Sequence, residues 1–364
     1  MCRSSWCSSA PPSGTRSREV SIFGGTGSTS PWRSRRSLRT ERVVPVTEPL
    51  DGATSPRFAQ VATFARLPLQ RQFGPAKSVF LGIPWDDATS YRSGAREGPS
   101  AIRHASRLVR PYNMFADVYP FRILDTVDAG DVDPVPGYTE DTFARIESAL
   151  RPMFAADVVP FIAGGDHSVT LPVLRARKAA GKEPVSLLHF DAHFDTWEAY
   201  WGGKRYTHGT WVKRAYEEGL IARGQVFQVG IRSSLYSDED VRNNAAIVDR
   251  TFSSEDVDAQ GNRAIMDRVL ESVRDHPLYV SVDIDVLDPA YAPGTGTPES
   301  GGLTSREMIH FLRELHRANL VGFDLVEVAP QYDHMGQITA LAASNLIYEG
   351  MCALAKHRSA GVRP

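Results

Sequence analysis

The stretch Val185–Asp195 (VSLLHFDAHFD) constrains this chain more than any other. It begins as an apolar run typical of a strand buried on both faces of a parallel sheet, and it then places Asp191, His193 and Asp195 at alternate positions. Side chains two residues apart on an extended segment point the same way, so these three should converge. Turn-forming aspartates do not require such alternation. Because buried carboxylates repel one another unless a cation lies among them, the stretch predicts a metal site.

The order of predicted elements indicates an α/β fold. From Pro56 onward, strand-length apolar segments alternate with helix-length segments, which is typical of βαβ units with helices on both faces of a mainly parallel sheet. The composition does not change again, so we predict one three-layer α/β/α catalytic domain over residues 56–358. The predicted strands include Ile123–Asp128, Val158–Ala163, Leu278–Val282 and Leu320–Val328.

Four of the predicted strands end in side chains that bind metals or cations. These are His167, then Asp191, His193 and Asp195, then Asp283 and Asp285, and finally Glu327. Ligands of open parallel sheets bind outside the carboxyl ends of the strands, so we expect the four clusters to meet. Oxygen-rich ligation with two imidazoles suits two Mn²⁺ ions, although Ni²⁺, Co²⁺, Zn²⁺ or Fe²⁺ could bind the same residues. Such a pair of ions is typical of hydrolases.

Three of these segments resemble the metal motifs of the ureohydrolases, the arginase and agmatinase family. They are residues 164–168 (GGDHS), 191–195 (DAHFD) and 281–289 (SVDIDVLDP), and the similarity spans about Pro56 to Ala355. Segments 206–210 (YTHGT), 292–298 (APGTGTP) and 326–330 (VEVAP) resemble the agmatinase branch more than the arginases. The resemblance implies the fold shared by arginases and zinc deacetylases, and hydrolysis of a guanidino compound to urea and an amine.

The resemblance also implies a role for each site residue. One metal would be held by His167, Asp191, Asp195 and Asp283, and the other by His193, Asp191, Asp283 and Asp285. Glu327 would bind the substrate guanidinium, and His208 would pass a proton to the departing amine. Members of this family form homotrimers or homohexamers, and we expect the same here. We interpret His189, which lies deeper in the strand, as a packed core histidine.

The far end of the substrate should be bound by the loops at 86–98 and 196–206. Agmatine, which would yield putrescine and urea, ends in an ammonium that Glu198 and Trp197 could bind. The guanidino acids 4-guanidinobutyrate and 3-guanidinopropionate end in a carboxylate, for which Arg92 could serve. Trp211, close to His208, would narrow the pocket and leaves free guanidine as a further substrate. We predict agmatine first and the guanidino acids second.

Composition argues against several other classes of protein. The 41 basic and 43 acidic residues give no basic excess for nucleic-acid binding, and we see no apolar run that predicts a membrane anchor. Three cysteines are too few for a disulfide framework. A deacetylase-like amidohydrolase and a non-enzymatic scaffold remain alternatives of a different class. The complete set of six metal ligands and Glu327 favours guanidinium hydrolysis.

Residues 1–55 differ in composition from the rest of the chain. They are rich in Ser, Arg, Pro and Gly, and Glu19 and Glu41 are the only acids before Glu48. We predict a disordered leader. A mitochondrial transit peptide has a similar composition, and a natural start near Val46 would make the segment non-native. The predicted compartment is the cytoplasm, or the mitochondrion if the leader is a transit peptide.

Overall fold

The protein is built on one eight-stranded sheet in which every strand pair is parallel. The computed structural model describes residues 47–360. The strands are β1 (Ser78–Gly82), β2 (Val127–Asp131), β3 (Val159–Ala163), β4 (Val185–Phe190), β5 (Ile221–Ile231), β6 (Arg250–Ser253), β7 (Pro277–Asp283) and β8 (Asn319–Val326). Their order across the sheet is β2-β1-β3-β8-β7-β4-β5-β6.

Ten α-helices accompany the sheet within residues 47–360. They are α1 (Gly98–Ala105), α2 (Pro120–Leu124), α3 (Thr139–Ala155), α4 (Thr170–Ala179), α5 (Trp211–Glu217), α6 (Asp238–Ala245), α7 (Ser254–Gln260), α8 (Asn262–Val273), α9 (Ser305–Glu314) and α10 (Ile338–Ala360). One hydrophobic cluster contains the buried side chains of α3, α4 and α5, and a second contains those of α1, α2 and α7 to α10. The sheet lies between the two clusters, which confirms the predicted three-layer α/β/α fold.

Strand β4 lies near the middle of the sheet and is buried along its whole length. It pairs with β5 on one side and with β7 on the other, where Phe190 lies opposite Val282. The four strands that carry the predicted ligands, β3, β8, β7 and β4, are consecutive neighbours in the sheet. Because all four are parallel, their carboxyl ends lie along one edge, as the sequence predicted.

The prediction of a strand over Ile123–Asp128 is wrong. Its first part belongs to helix α2, which begins at Pro120, and strand β2 begins only at Val127. Asp125 separates the two with a left-handed backbone conformation (φ 48°). A proline is well suited to the first turn of a helix, and the short apolar helical segment cannot be distinguished from a strand by pattern alone.

The first described residues and the last helix both pack against the folded domain. The predicted leader falls, up to residue 46, outside the described residues, while residues 47–55 reach the folded domain through a hydrogen bond from the Leu50 amide to the Arg66 carbonyl (3.1 Å). Helix α10 is long and apolar enough to cross a membrane by length and composition alone. Its most apolar window is 72% buried within the protein, so this helix packs as part of the core.

Candidate metal centre and active site

The turn after β3 brings His167 to the edge of the sheet. Gly165 in this turn lies so close to Trp85 that a Cβ atom at this position would come within 1.6 Å of the Trp85 carbonyl oxygen. Only glycine allows that approach. The Asp166 carboxylate then accepts hydrogen bonds from the Ser168 amide (3.0 Å) and the Ala88 amide (2.9 Å), which ties the turn to the first loop. The GGDHS motif therefore positions His167 through its backbone.

His167 faces three aspartates. Its Nδ1 atom lies 3.2 Å from Asp191 Oδ2, 3.2 Å from Asp195 Oδ2 and 3.1 Å from Asp283 Oδ2. All four residues are buried. The structure thus brings together the four side chains that the family resemblance implied for one metal.

A second cluster forms around His193. Its Nδ1 atom lies 3.3 Å from Asp191 Oδ1 and 3.1 Å from Asp285 Oδ2. Asp191 directs one carboxylate oxygen to each cluster. This arrangement is the one that a carboxylate bridging two ions requires, and the bridging role itself remains a prediction.

The hydrogen bonds behind His167 show that its Nδ1 atom suits a metal. Its Nε2 atom lies 2.8 Å from the Ser281 hydroxyl, which donates its own proton to Asp324 (2.6 Å). The hydroxyl must then accept from His167, so Nε2 carries the proton of the neutral ring, and the Nδ1 lone pair of that neutral ring faces the aspartates. A lone pair aimed at three carboxylates is unfavourable without a cation between them. The donor set therefore fits a divalent metal.

Charges in the cluster oppose one another in the absence of an ion. Burial and the neighbouring Asp285 and Asp191 raise the pKa of Asp283 well above its usual range. Burial lowers the pKa of the His167 imidazole, but its hydrogen bonds to the aspartates outweigh this effect and raise it well above its ordinary value. Without a metal, a second proton on Nδ1 would partly compensate the carboxylates, which is the electrostatic role a bound cation would take over.

Glu327 and His208 form a pair beside the clusters. Glu327 Oε1 lies 2.9 Å from His208 Nδ1 and accepts a hydrogen bond from the His167 amide (3.0 Å). Its other oxygen, Oε2, is buried and has no hydrogen-bond partner among the described residues. On the far side of the imidazole, Nε2 lies 3.0 Å from the Ser90 amide, which can donate to the neutral ring, and 2.7 Å from the Ser90 hydroxyl, which can accept from the protonated ring, so in both states the Nδ1 proton points to Glu327.

Two site residues have backbone conformations that are uncommon for residues other than glycine. Asp195 has φ 54° and Glu327 has φ 63°, both in the left-handed region. Such conformations cost free energy and occur preferentially at functional sites, where surrounding structure imposes them. The backbone of Glu327 is held by a hydrogen bond from its amide to the Gly165 carbonyl (2.8 Å).

A cavity of about 320 Å³ opens onto the clusters. It is lined by Ser90, His193, Asp195, Trp197, Tyr200, His208, Gly209, Ser234, Leu235, Tyr236, Asp283, Thr297 and Glu299. Trp197 forms part of an aromatic wall, with its ring inclined by 65° to that of Tyr200 and by 73° to that of Tyr236, at centroid distances of 6.1 and 6.0 Å. Of the four residues predicted to bind the substrate, only Trp197 lines this cavity.

The other three predicted substrate residues lie elsewhere. The Glu198 carboxylate forms ion pairs with Lys213 and with Arg214 (3.4 Å), and its side chain is 64% exposed. The guanidinium of Arg92 lies over the rings of Tyr91 and Tyr332, 5.2 Å from each centroid. Trp211 is buried behind the Asp195 carboxylate and does not narrow the cavity, contrary to the sequence-based expectation.

Several residues of the site were not assigned from the sequence. His189 is a buried core residue, as expected, but its Nε2 atom also lies 2.7 Å from Asp191 Oδ2. Gln228 donates to its Nδ1 atom (3.3 Å), so Nε2 carries the proton and donates it to Asp191. His189 therefore orients a predicted ligand. Glu299 lies at the cavity rim, 3.8 Å from His193 Nε2, and directly follows the APGTGTP segment, which marked this loop in the sequence but not this residue.

A profile of the arginase family matches residues 76–353. The chain belongs to the arginase family. Among similar arginase-family proteins, guanidinopropionase of Pseudomonas aeruginosa is 42% identical over 85% of this chain and 96% of that protein. The mitochondrial agmatinase of Gallus gallus is 42% identical over 81% of this chain and 86% of that protein. These relatives confirm the predicted ureohydrolase family and its agmatinase-like branch.

Solved structures of the arginase family share the fold. Proclavaminate amidino hydrolase from Streptomyces clavuligerus superimposes with a TM-score of 0.79 at 39% identity, covering 83% of this chain and all of that one. A buried His and Asp site of the kind described above, in a chain of this family, is consistent with a metal centre.

Proposed function

We propose that this protein hydrolyses a guanidino compound to urea and an amine with the help of two divalent metal ions, Mn²⁺ being the first choice. The observation that carries the proposal is the buried, unpartnered Glu327 Oε2 atom next to two clusters of metal-binding side chains. A buried acceptor without a partner is unfavourable, and a guanidinium N–H group would satisfy it with a charge-assisted hydrogen bond. The six metal ligands keep the roles implied by the resemblance.

The metals, when bound, would lower the pKa of a shared water and so supply the nucleophile near neutral pH. The protein would do the rest by positioning and proton transfer. Glu327 would hold the guanidinium through Oε2 while its other oxygen stays bonded to His208. When the imidazole is protonated, the Nδ1–H group is close to the bound group and can give its proton to the departing amine, which leaves a neutral ring. The pKa of His208 is lowered by burial but raised more by Glu327, which keeps the imidazole protonated to higher pH.

The preferred substrate is agmatine, because the cavity suits a cation at the far end. No lysine or arginine belongs to its lining residues, whereas Glu299 and the three aromatic rings of Trp197, Tyr200 and Tyr236 do. An ammonium group is attracted to aromatic faces and to a carboxylate. Within residues 47–360, the same lining offers a substrate carboxylate no lysine or arginine.

Guanidino acids are the second candidate. Similarity to guanidinopropionase, 42% identical over 85% of this chain, supports them as well as the agmatinase relative supports agmatine. Arg92 would be the residue to bind the carboxylate, but it would first have to leave Tyr91 and Tyr332. The oligomeric state and the compartment remain predictions, as they were from the sequence.

The test is urea release by the purified protein loaded separately with Mn²⁺, Ni²⁺ or Zn²⁺. The substrates are agmatine, 4-guanidinobutyrate, 3-guanidinopropionate, arginine and guanidine. We expect agmatine to be turned over far faster than the others. Turnover of a guanidino acid instead would overturn the substrate choice, and no urea from any compound with two metals bound would overturn guanidinium hydrolysis.

A further inference from the structure

Trp211 is the first residue of α5 and one of the most deeply buried side chains of the protein, with 1% of its surface exposed. Its indole Nε1–H group donates a hydrogen bond to Asp195 Oδ2 at 2.9 Å. The same carboxylate oxygen lies 3.2 Å from His167 Nδ1. The indole therefore contacts the very atom that faces the centre of the first cluster.

The indole ring is fixed by its neighbours. Its centroid lies 4.9 Å from that of His167, with 33° between the planes, and 5.3 Å from that of His189, nearly perpendicular to it. The next residue along the chain holds the backbone, because the Val212 amide donates to the Asp195 carbonyl (3.2 Å). The start of α5 thus holds Asp195 both at its side chain and at its main chain.

Asp195 needs such support more than the other ligands do. Its backbone is in the left-handed region, unlike that of the other five predicted ligands, and its side chain lines the cavity. Within residues 47–360, the Trp211 indole is the only group besides the His167 ring that contacts this carboxylate, and it is the one that donates a hydrogen bond when Nδ1 of His167 is free for a metal. Without the indole N–H group, the carboxylate would be free to rotate toward the cavity.

We propose that Trp211 is a positioning residue that orients the Asp195 carboxylate toward the metal on the His167 side, so that its N–H group sets how tightly that ion is held. The inference rests on the metal-dependent function proposed above. Hydrogen-bond partners of ligating carboxylates typically contribute 10- to 100-fold to metal affinity. The ion on the His193 side would be held by His193, Asp191, Asp283 and Asp285, without Asp195, and should be retained.

The test uses Trp211→Phe, which keeps an aromatic ring but removes the N–H group, in the full-length protein. The matched control is Trp201→Phe, because Trp201 is 58% exposed in the neighbouring loop. Mn²⁺ affinity is measured by competition with a chelator, and the fraction of spin-coupled ion pairs by electron paramagnetic resonance. In Trp211→Phe we expect the ion on the His167 side to be bound about 10- to 100-fold more weakly than in the wild type. At limiting Mn²⁺ the resonance spectrum of this variant should therefore be that of a single, uncoupled ion.

Wild-type affinity for both ions in Trp211→Phe, or equal loss of both, would overturn the proposal. A benzothienylalanine at position 211 replaces the N–H group with sulfur at nearly unchanged shape, so it gives the same test if the phenylalanine variant fails to fold. Two ions bound by a wild-type protein that releases no urea would refute the proposed reaction and leave this measurement valid. Failure of the Trp211 proposal and failure of the proposed reaction therefore give different results.

Discussion

His208 Nδ1 lies 2.9 Å from Glu327 Oε1, which joins a loop histidine to a carboxylate at the end of strand β8. The Ser90 amide fixes the imidazole from the other side, so the proton between the two residues belongs to His208. One oxygen of Glu327 is used in this way, and the other is left for a ligand. The pair therefore combines binding of a cation with storage of a proton.

Glu327→Gln should lower kcat/KM for the preferred guanidino substrate by about 30-fold to several thousand-fold, equivalent to about 2–5 kcal/mol for a buried charged hydrogen bond that loses one partner. The glutamine side-chain amide has nearly the same shape as the Glu327 carboxylate but carries no charge. Urea release by the metal-loaded protein measures the effect, and Glu255→Gln on the surface helix α7 serves as the control. Unchanged kcat/KM with two metals bound would contradict the role of Glu327.

The pH dependence of the same variant provides a separate check. Glu327 raises the pKa of His208, and a protonated His208 is the proposed proton donor, so activity should be lost as the pH rises through that pKa. Removing the carboxylate charge lowers the pKa of His208. The alkaline limb of kcat/KM for Glu327→Gln should therefore lie at lower pH than that of the wild type, and a limb at the same or higher pH would exclude His208 as the donor.

Asp191→Asn should weaken metal retention and abolish turnover, because Asp191 faces both clusters and its charge is removed from each. The measurement is metal content per protomer after gel filtration, together with urea release. Asp238→Asn is the matched control, since that side chain is 84% exposed. Wild-type activity in a variant of known metal content would refute the site assignment.

The metal-binding side chains could be predicted because each follows a strand of the parallel sheet, and parallel strands must end along one edge. Trp211 could not be placed in this way. Its side-chain direction depends on how the loop after Asp195 returns to α5, and that path is set by contacts such as the Trp197 amide to the Gly209 carbonyl (3.2 Å). Strand β6 has only four residues at the sheet edge, too few to give a periodic signal.

Arg103→Met should destabilise the fold without touching the active site. The buried guanidinium forms two hydrogen bonds to Asp128 (2.8 and 3.0 Å) and one to Asp131 (2.6 Å). Its removal leaves a buried carboxylate uncompensated, which typically costs about 3–5 kcal/mol. The melting temperature should fall by several degrees, whereas Arg242→Met, which breaks an exposed ion pair with Asp238, should change it little. Equal melting temperatures of the two variants would contradict this account.

The N-terminal boundary can be located by two deletions. The sequence places the cut at Pro56, but the Arg66 guanidinium, in a residue only 5% exposed, donates to the Ser55 carbonyl (2.9 Å) and hydroxyl (2.7 Å). Removing residues 1–55 takes both acceptors away from a buried donor, at a cost of about 1–3 kcal/mol. Removing residues 1–45 leaves these contacts in place.

The shorter deletion, of residues 1–45, should therefore keep both the melting temperature and the urea release of the full chain. The longer deletion, of residues 1–55, should lower the melting temperature but keep urea release. A shorter deletion that is as unstable as the longer one would show that residues before 46 contribute to the folded domain.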